Sequence, residues 1–363
     1  MNTEIDKLNY IDFLRGIAIL MVIVHHCGQT FNESSTLTYI LSFGNHGVQL
    51  FFIVSAYTLF LSTKKKSTES YKWSKFYVRR IFRILPLYLI GIVYFTWQQG
   101  GIHQREWNND IFPINILTLI SNALLLHGLS PYTINSIVPG GWSIAAEFLF
   151  YSIFPFLFLK INSTKTALIA LGIAFIVQIT LHFLLFSTPL IKQESLWGAF
   201  EYFYFPFQLP AFLVGILCFY LIKENDRKVT LPIAFVFIAL LIMSIYYSDQ
   251  ISFFIFTIII FPILLFVVEK HQHIVKSKII EFVGKISYNA YFIHFAVIYW
   301  FIRLGFFKQL QYAQNINILI YTFIVLIVTI IISTMTHYII EIPFINLGKR
   351  LNHYLFDKKT SNE

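Results

Sequence analysis

Charge is what this sequence lacks. Only 12% of its 363 residues are Asp, Glu, Lys or Arg, against roughly 25% in a soluble domain. With 57% hydrophobic and 18% aromatic residues, it has too little polar surface to cover a water-soluble globule. A soluble enzyme, a nucleic-acid binder and a disordered chain are excluded. Cysteine is scarce too: Cys27 and Cys218 both stand inside apolar runs, so neither a disulfide framework nor a metal cluster is implied. Long polar inserts are missing, which leaves one domain over residues 1–363 and no soluble extracytoplasmic domain.

What is present is a series of apolar runs, near 11–29, 45–62, 76–97, 113–127, 142–160, 167–187, 201–222, 231–247, 252–269, 284–304 and 315–340. Most have the length a helix needs to cross about 30 Å of hydrocarbon. A barrel would show short alternating segments instead, so the fold class is an all-α integral membrane protein. No small-residue cleavage site follows the first run, which is therefore a retained helix and not a removed signal peptide.

The net charge of +9 reports topology, because Lys and Arg collect in cytoplasmic loops. Placing the N-terminus, 64–83, 160–165, 223–228, 270–285 and the tail inside gathers 22 of the 27 basic residues there. Arg105, Lys192, Arg303 and Lys308 fall outside, and Arg15 within the first helix. Eleven crossings would put the termini on opposite sides. The parity breaks at 113–127, which begins at Pro113 and is too brief to span. It is predicted to be interfacial or re-entrant, leaving about ten transmembrane helices and both termini cytoplasmic. A cell (plasma or inner) membrane location follows.

Ionisable groups within hydrocarbon are costly and usually face a cavity or a partner. The first helix carries Asp12, Arg15, His25 and His26. Asp12 and Arg15 are three apart and can pair with each other. Arg15 and His26 are eleven apart, which returns to within about 20° of the same face, separated along the axis by roughly 16 Å. A lone helical histidine is more often a packing residue than a catalyst. Arg79, Arg80 and Arg83 run into the third long segment, and a planar guanidinium suits phosphate. Glu147 sits in GGWSIAAEFLFYSIFP and needs a cationic or hydrogen-bonding partner. Tyr288, Tyr291 and His294 recur every three residues in ISYNAYFIH, and Glu341 lies in YIIEIPF. No set of residues reads as a metal site.

Taken in order, these segments resemble the acyltransferase-3 family of multipass membrane O-acyltransferases, over nearly the whole chain. YIDFLRGIAILMVIVHH carries the family's Arg, ten residues, His pattern at Arg15 and His26, preceded by Asp12. GNHGVQLFFIVSAYTL supplies Gly47, Phe52 and Ser55. VRRIFRILPLY supplies the Arg-x-x-Arg pair Arg80 and Arg83. GGWSIAAEFLFY supplies Trp142, Ser143, Glu147 and Tyr151, and ISYNAYFIH the late Ser-Tyr…Tyr…His segment. Ala56 stands where the family usually has Gly, and His25 where an aromatic or aliphatic residue is common.

The resemblance implies acyl transfer from a cytoplasmic acyl-CoA, acetyl-CoA above all, to a hydroxyl of a surface polysaccharide or its lipid-linked precursor. The donor is a substrate and no permanently bound cofactor is implied. In that frame Arg15, Arg80 and Arg83 hold the coenzyme, and His26 is either the base toward the acceptor hydroxyl or a transient acyl carrier. Glu147 orients a histidine or caps an arginine. Asp12, Ser55, Trp142, Ser143, Tyr288 and His294 support them. Expected partners are the donor, the glycan acceptor, membrane lipid and polysaccharide-assembly proteins, with no nucleic acid. Two other readings compete: a flippase for a lipid-linked glycan, opposed by the absence of an internal repeat, and a non-catalytic subunit of a polysaccharide synthase, opposed by the intact His and Arg stripe.

Overall fold

In hydrocarbon every backbone amide must be satisfied internally, so long apolar runs settle as helices. The computed structural model describes residues 9–31, 35–101, 104–107, 110–226, 238–239, 242, 246, 251–272, 276–306 and 314–357. Its principal helices are α1 (Asn9–Gln29), α2 (Thr36–Ser42), α3 (Gly47–Lys65), α4 (Lys72–Gln98), α5 (Ile116–Ala123), α6 (Gly141–Lys160), α7 (Thr164–Leu181), α8 (Glu194–Phe203), α9 (Phe205–Ile222), α10 (Phe261–Lys270), α11 (Lys278–Lys285), α12 (Ser287–Arg303), α13 (Gln314–Thr336) and α14 (Ile342–Asn352). A short antiparallel hairpin pairs Gln104–Trp107 with Asp110–Pro113.

Among the described residues seven helical segments are long and apolar enough to cross a membrane: Asn9–Gln29, Thr36–Lys65, Gly141–Lys160, Thr164–Phe186, Glu194–Ile222, Ser252–Lys270 and Asn315–Asp357. Two further helices match expected crossings without meeting that standard. α4 has 27 residues but carries Lys72, Lys75, Arg79, Arg80 and Arg83, and α12 has only 17. Most of the expected run at 231–247 lies outside the described residues. The short run at 113–127 holds only α5, whose 8 residues reach about 12 Å at 1.5 Å each and cannot span.

α5 also shows the polarity of the surroundings. An amphipathic helix in a soluble protein turns its apolar stripe inward, whereas here Thr118 and Asn122 are buried and Ile116, Leu117 and Ile120 are exposed. Leu319, Phe323, Ile327 and Ile331 on α13 likewise face outward.

α1 is the hub and packs against α3, α11, α12 and α13. Its contact with α11 is a backbone contact. A Cβ on Gly284 would lie 1.7 Å from the Asp12 carbonyl oxygen, and one on Gly16 would lie 2.2 Å from that of Ile280. Small residues permit this approach, as membrane helix pairs require in the absence of a hydrophobic driving force between them. α3 meets α9 in the same way. There Gly215 faces Ile53 and the Ala56 methyl, so the departure at Ala56 is met by a glycine on the neighbouring helix.

Candidate functional site

α1, α3, α4, α6 and α12 form a cavity lined by Arg15, Ser55, Arg80, Arg83, Glu147 and Tyr288, with Ser143, Tyr151 and Tyr291 also in its wall. Five separate helices thus bring together groups that are up to 276 positions apart in sequence (Arg15 to Tyr291).

The three arginines supply most of the charge. Arg15 Nη1 stands 3.8 Å from Asp12 Oδ1, the pair anticipated from their spacing, at the loose end of ion-pair distance. The Arg80 guanidinium lies over the rings of Phe76 at 5.6 Å and Tyr151 at 5.5 Å, and its buried Nε has no partner. Among the described residues neither Arg80 nor Arg83 forms an ion pair with a carboxylate within 4.0 Å. Arg79 differs: both of its terminal nitrogens donate to Glu69, at 3.2 and 3.3 Å, and it does not line the cavity.

Glu147 caps neither a histidine nor an arginine. It accepts hydrogen bonds from Ser55 Oγ at 2.8 Å and from the Tyr151 hydroxyl. The sequence offered a cue to the second of these, because positions 147 and 151 share a helix face. Trp142 stands behind the cavity wall, stacked on Phe203 at 4.6 Å and edge-on to Phe52.

Part of the cavity wall is a hydroxyl cluster. Ser143 Oγ lies 2.9 Å from both the Gly140 carbonyl and the Tyr291 hydroxyl, which itself donates to that carbonyl at 3.1 Å. Gly140 has φ +72°, and a Cβ there would meet the Tyr291 oxygen at 2.6 Å, so glycine is required on both counts. The turn is held from behind by His127, which sequence reasoning missed. Its Nε2 sits 3.0 Å from the Gly141 carbonyl and 3.1 Å from the Tyr88 hydroxyl, which donates to Asn122. Nothing in its local sequence separates His127 from a loop residue.

His26 is outside this cavity. Its Nδ1 lies 2.8 Å from Gln29 Oε1, and its ring centre is 4.9 Å from His25, 5.4 Å from His294 and 4.6 Å from Phe295. His294 stands one helical turn beyond Tyr291, with ring centres 5.9 Å apart. The every-third-residue stripe on α12 therefore runs from the arginine cavity, at Tyr288 and Tyr291, to His26.

Glu341, which also lies outside the cavity, is buried in a widened turn at His337–Glu341. It accepts from Asn289 Nδ2 at 2.5 Å and pairs with His337 Nδ1 at 2.6 Å. Among the described residues no group of three or more His, Cys, Asp and Glu could hold a metal.

The chain is similar to proteins of three Staphylococcus aureus strains, COL, MSSA476 and MRSA252, each carrying the name "Putative O-acetyltransferase". In each case 26% of a 385-residue alignment is identical, covering 96% of this chain and 60% of the relative. The chain thus spans about 60% of the length of the curated relatives it matches. No solved structure matches it. The family described as "Acyltransferase domain" matches residues 8–338. That match takes in every cavity residue, His26 and His294: the chain belongs to the acyltransferase-3 family.

Proposed function

We propose that this protein is a multipass membrane O-acyltransferase. It takes an acyl group from cytoplasmic acyl-CoA, acetyl-CoA in the first instance, and delivers it to a hydroxyl of a cell-surface polysaccharide or its lipid-linked precursor. The observation that carries this reading is the cavity that gathers Arg15, Arg80 and Arg83 beside Glu147, where among the described residues neither Arg80 nor Arg83 has a carboxylate within 4.0 Å. Guanidinium groups kept within a membrane at high cost, with Arg80 and Arg83 not ion-paired among the described residues, are placed for an anionic ligand. The phosphates of coenzyme A fit that description.

In this reading ten crossings leave both termini in the cytoplasm, and the donor enters from the end of α4 that carries the basic residues. Arg80 and Arg83 take its phosphates, and Arg15 the phosphates or the pantetheine arm. The thioester reaches the Ser143–Tyr291 wall of the cavity. His26 serves as the base. A carboxamide oxygen only accepts, so the contact with Gln29 Oε1 puts the imidazole proton on Nδ1 and leaves Nε2 with a free lone pair. Nε2 takes the proton of the acceptor hydroxyl while that oxygen bonds to the acyl carbon. The carbon–sulfur pair leaves with sulfur, and the proton passes to the thiolate. Glu147 fixes Ser55 and Tyr151 in the wall.

General-base help is worth about 10²- to 10⁴-fold, so His26→Ala at normal protein level should remove the acyl esters from surface glycan, read by mass spectrometry. Retained acylation would sink the assignment. A carrier has no use for acyl-CoA, so absence of acetyl-CoA binding to the purified chain, with glycan export lost, would favour the flippase reading.

A further inference from the structure

We infer that His294 is a positioning residue for His26, the second imidazole of a pair that shares the transferred proton. The inference rests on the base assignment above and extends it to a group that touches neither donor nor acceptor.

His294 is wholly buried on α12. Its Nδ1 lies 2.9 Å from the Ala290 carbonyl oxygen, one turn back on the same helix. A carbonyl can only accept, so the ring proton sits on Nδ1 and Nε2 keeps a bare lone pair. That Nε2 is buried and has no hydrogen-bond partner. A fold rarely leaves a buried acceptor unmade, because the group forfeits its water without replacement.

The nearest polar ring is His26, with centres 5.4 Å apart and planes 30° apart. Imidazoles at this separation are close enough to share one N–H···N hydrogen bond. At rest none forms, since Gln29 holds the His26 proton on Nδ1 and both Nε2 atoms are bare. Two lone pairs have no proton to share. The state that completes the bond is the one produced in the reaction. When His26 Nε2 takes the proton of the acceptor hydroxyl, the O–H bond breaks, an O–C bond forms, and the C–S pair goes to sulfur. His26 is then an imidazolium with a new N–H, and the bare His294 nitrogen accepts from it. The proton goes on to the thiolate, and both rings return to the resting state.

Phe295 holds the geometry, its ring tilted against His26 at 4.6 Å and His294 at 4.0 Å. It also keeps an apolar ring beside the pair, where water would otherwise solvate the imidazolium and make a second histidine unnecessary.

The test uses the full chain in lipid nanodiscs with acetyl-CoA as donor and water as acceptor, reading free CoA thiol. His294→Phe fills the same space without a nitrogen. The expected result is a kcat lowered by about a hundredfold, on the order of the smallest general-base contribution, with KM for acetyl-CoA unchanged. His294→Gln keeps an acceptor oxygen and should recover about tenfold of that loss, a rescue that a packing role does not produce. Wild-type turnover in His294→Phe, or no advantage of His294→Gln over His294→Phe, overturns the inference. His26→Ala runs alongside. If it turns over normally, the base assignment itself fails; if it is inactive while His294→Phe is active, only the pairing fails.

Discussion

The arginines illustrate what one residue contributes and what its neighbours decide. Arg79 and Arg80 are adjacent in sequence, yet Arg79 is neutralised by Glu69 at the surface and Arg80 turns its guanidinium into the cavity. Their substitutions should separate accordingly. A hydrogen bond to a charged group contributes about 1.5–3 kcal/mol, and about 1.4 kcal/mol is tenfold. Arg83→Gln should therefore raise KM for acetyl-CoA about 10- to 100-fold, whereas Arg79→Gln, which loses an outer ion pair, should stay within about twofold. Steady-state kinetics in nanodiscs checks both, and equal effects would remove the cavity from donor binding. Arg15, Arg80, Arg83 and Glu147 were legible in the sequence because a charge inside an apolar run stands out. Ser55 and Tyr151 also stood in the recognised segments, but the meeting of Ser55 with Glu147 across two helices shows only once the chain is folded. For Glu147, one hydrogen-bond partner, Tyr151, follows from local spacing on α6, whereas the other, Ser55, comes only from the packing of α3 on α6.

At the scale of elements, runs longer than about 17 residues were readable as helices, and the shortness of 113–127 correctly excluded a crossing at α5. Apolarity alone fails at α4 and α12, the two helices that bring Arg80, Arg83, Tyr288 and Tyr291 to the cavity. Basic cargo sets α4 apart, whereas α12 is short, with 17 residues. The α1–α11 contact was also invisible, because a glycine in a sequence does not name the backbone it touches. Gly284→Ala would place a methyl 1.7 Å from the Asp12 carbonyl, a clash of backbone that no rotamer relieves. Overpacking costs about 1–3 kcal/mol and more where backbone must move. The expected outcome is a clearly lower Tm in detergent, with residual enzyme losing donor affinity as α1 shifts Arg15. An unchanged Tm would show that the helices separate freely.

For the whole molecule, the distribution of Lys and Arg commits the chain to a sidedness that can be measured directly. Cys27 and Cys218 are both buried, so the native thiols leave a low background for labelling. Lys192→Cys and Ser67→Cys, both at exposed positions, fall on opposite sides of the proposed topology. A membrane-impermeant maleimide on intact cells should label Lys192→Cys at once and Ser67→Cys only after the membrane is opened. Labelling of Ser67→Cys from outside would invert the topology and with it the direction of transfer.

The wall formed by Ser143, Tyr291 and Gly140 bears on energy as well as on chemistry. For the reaction proposed, the thioester is made in a compartment with metabolic fuel and its acyl group is used where there is none. Tyr291 lines the arginine cavity and its ring centre lies 5.9 Å from that of His294, itself 5.4 Å from His26, so in the proposed transfer the carbonyl group meets its acceptor beside this wall while the coenzyme stays behind. In that scheme no solute need be pumped. The free energy of the thioester alone drives the transfer, and the ion gradients of the cell are left untouched.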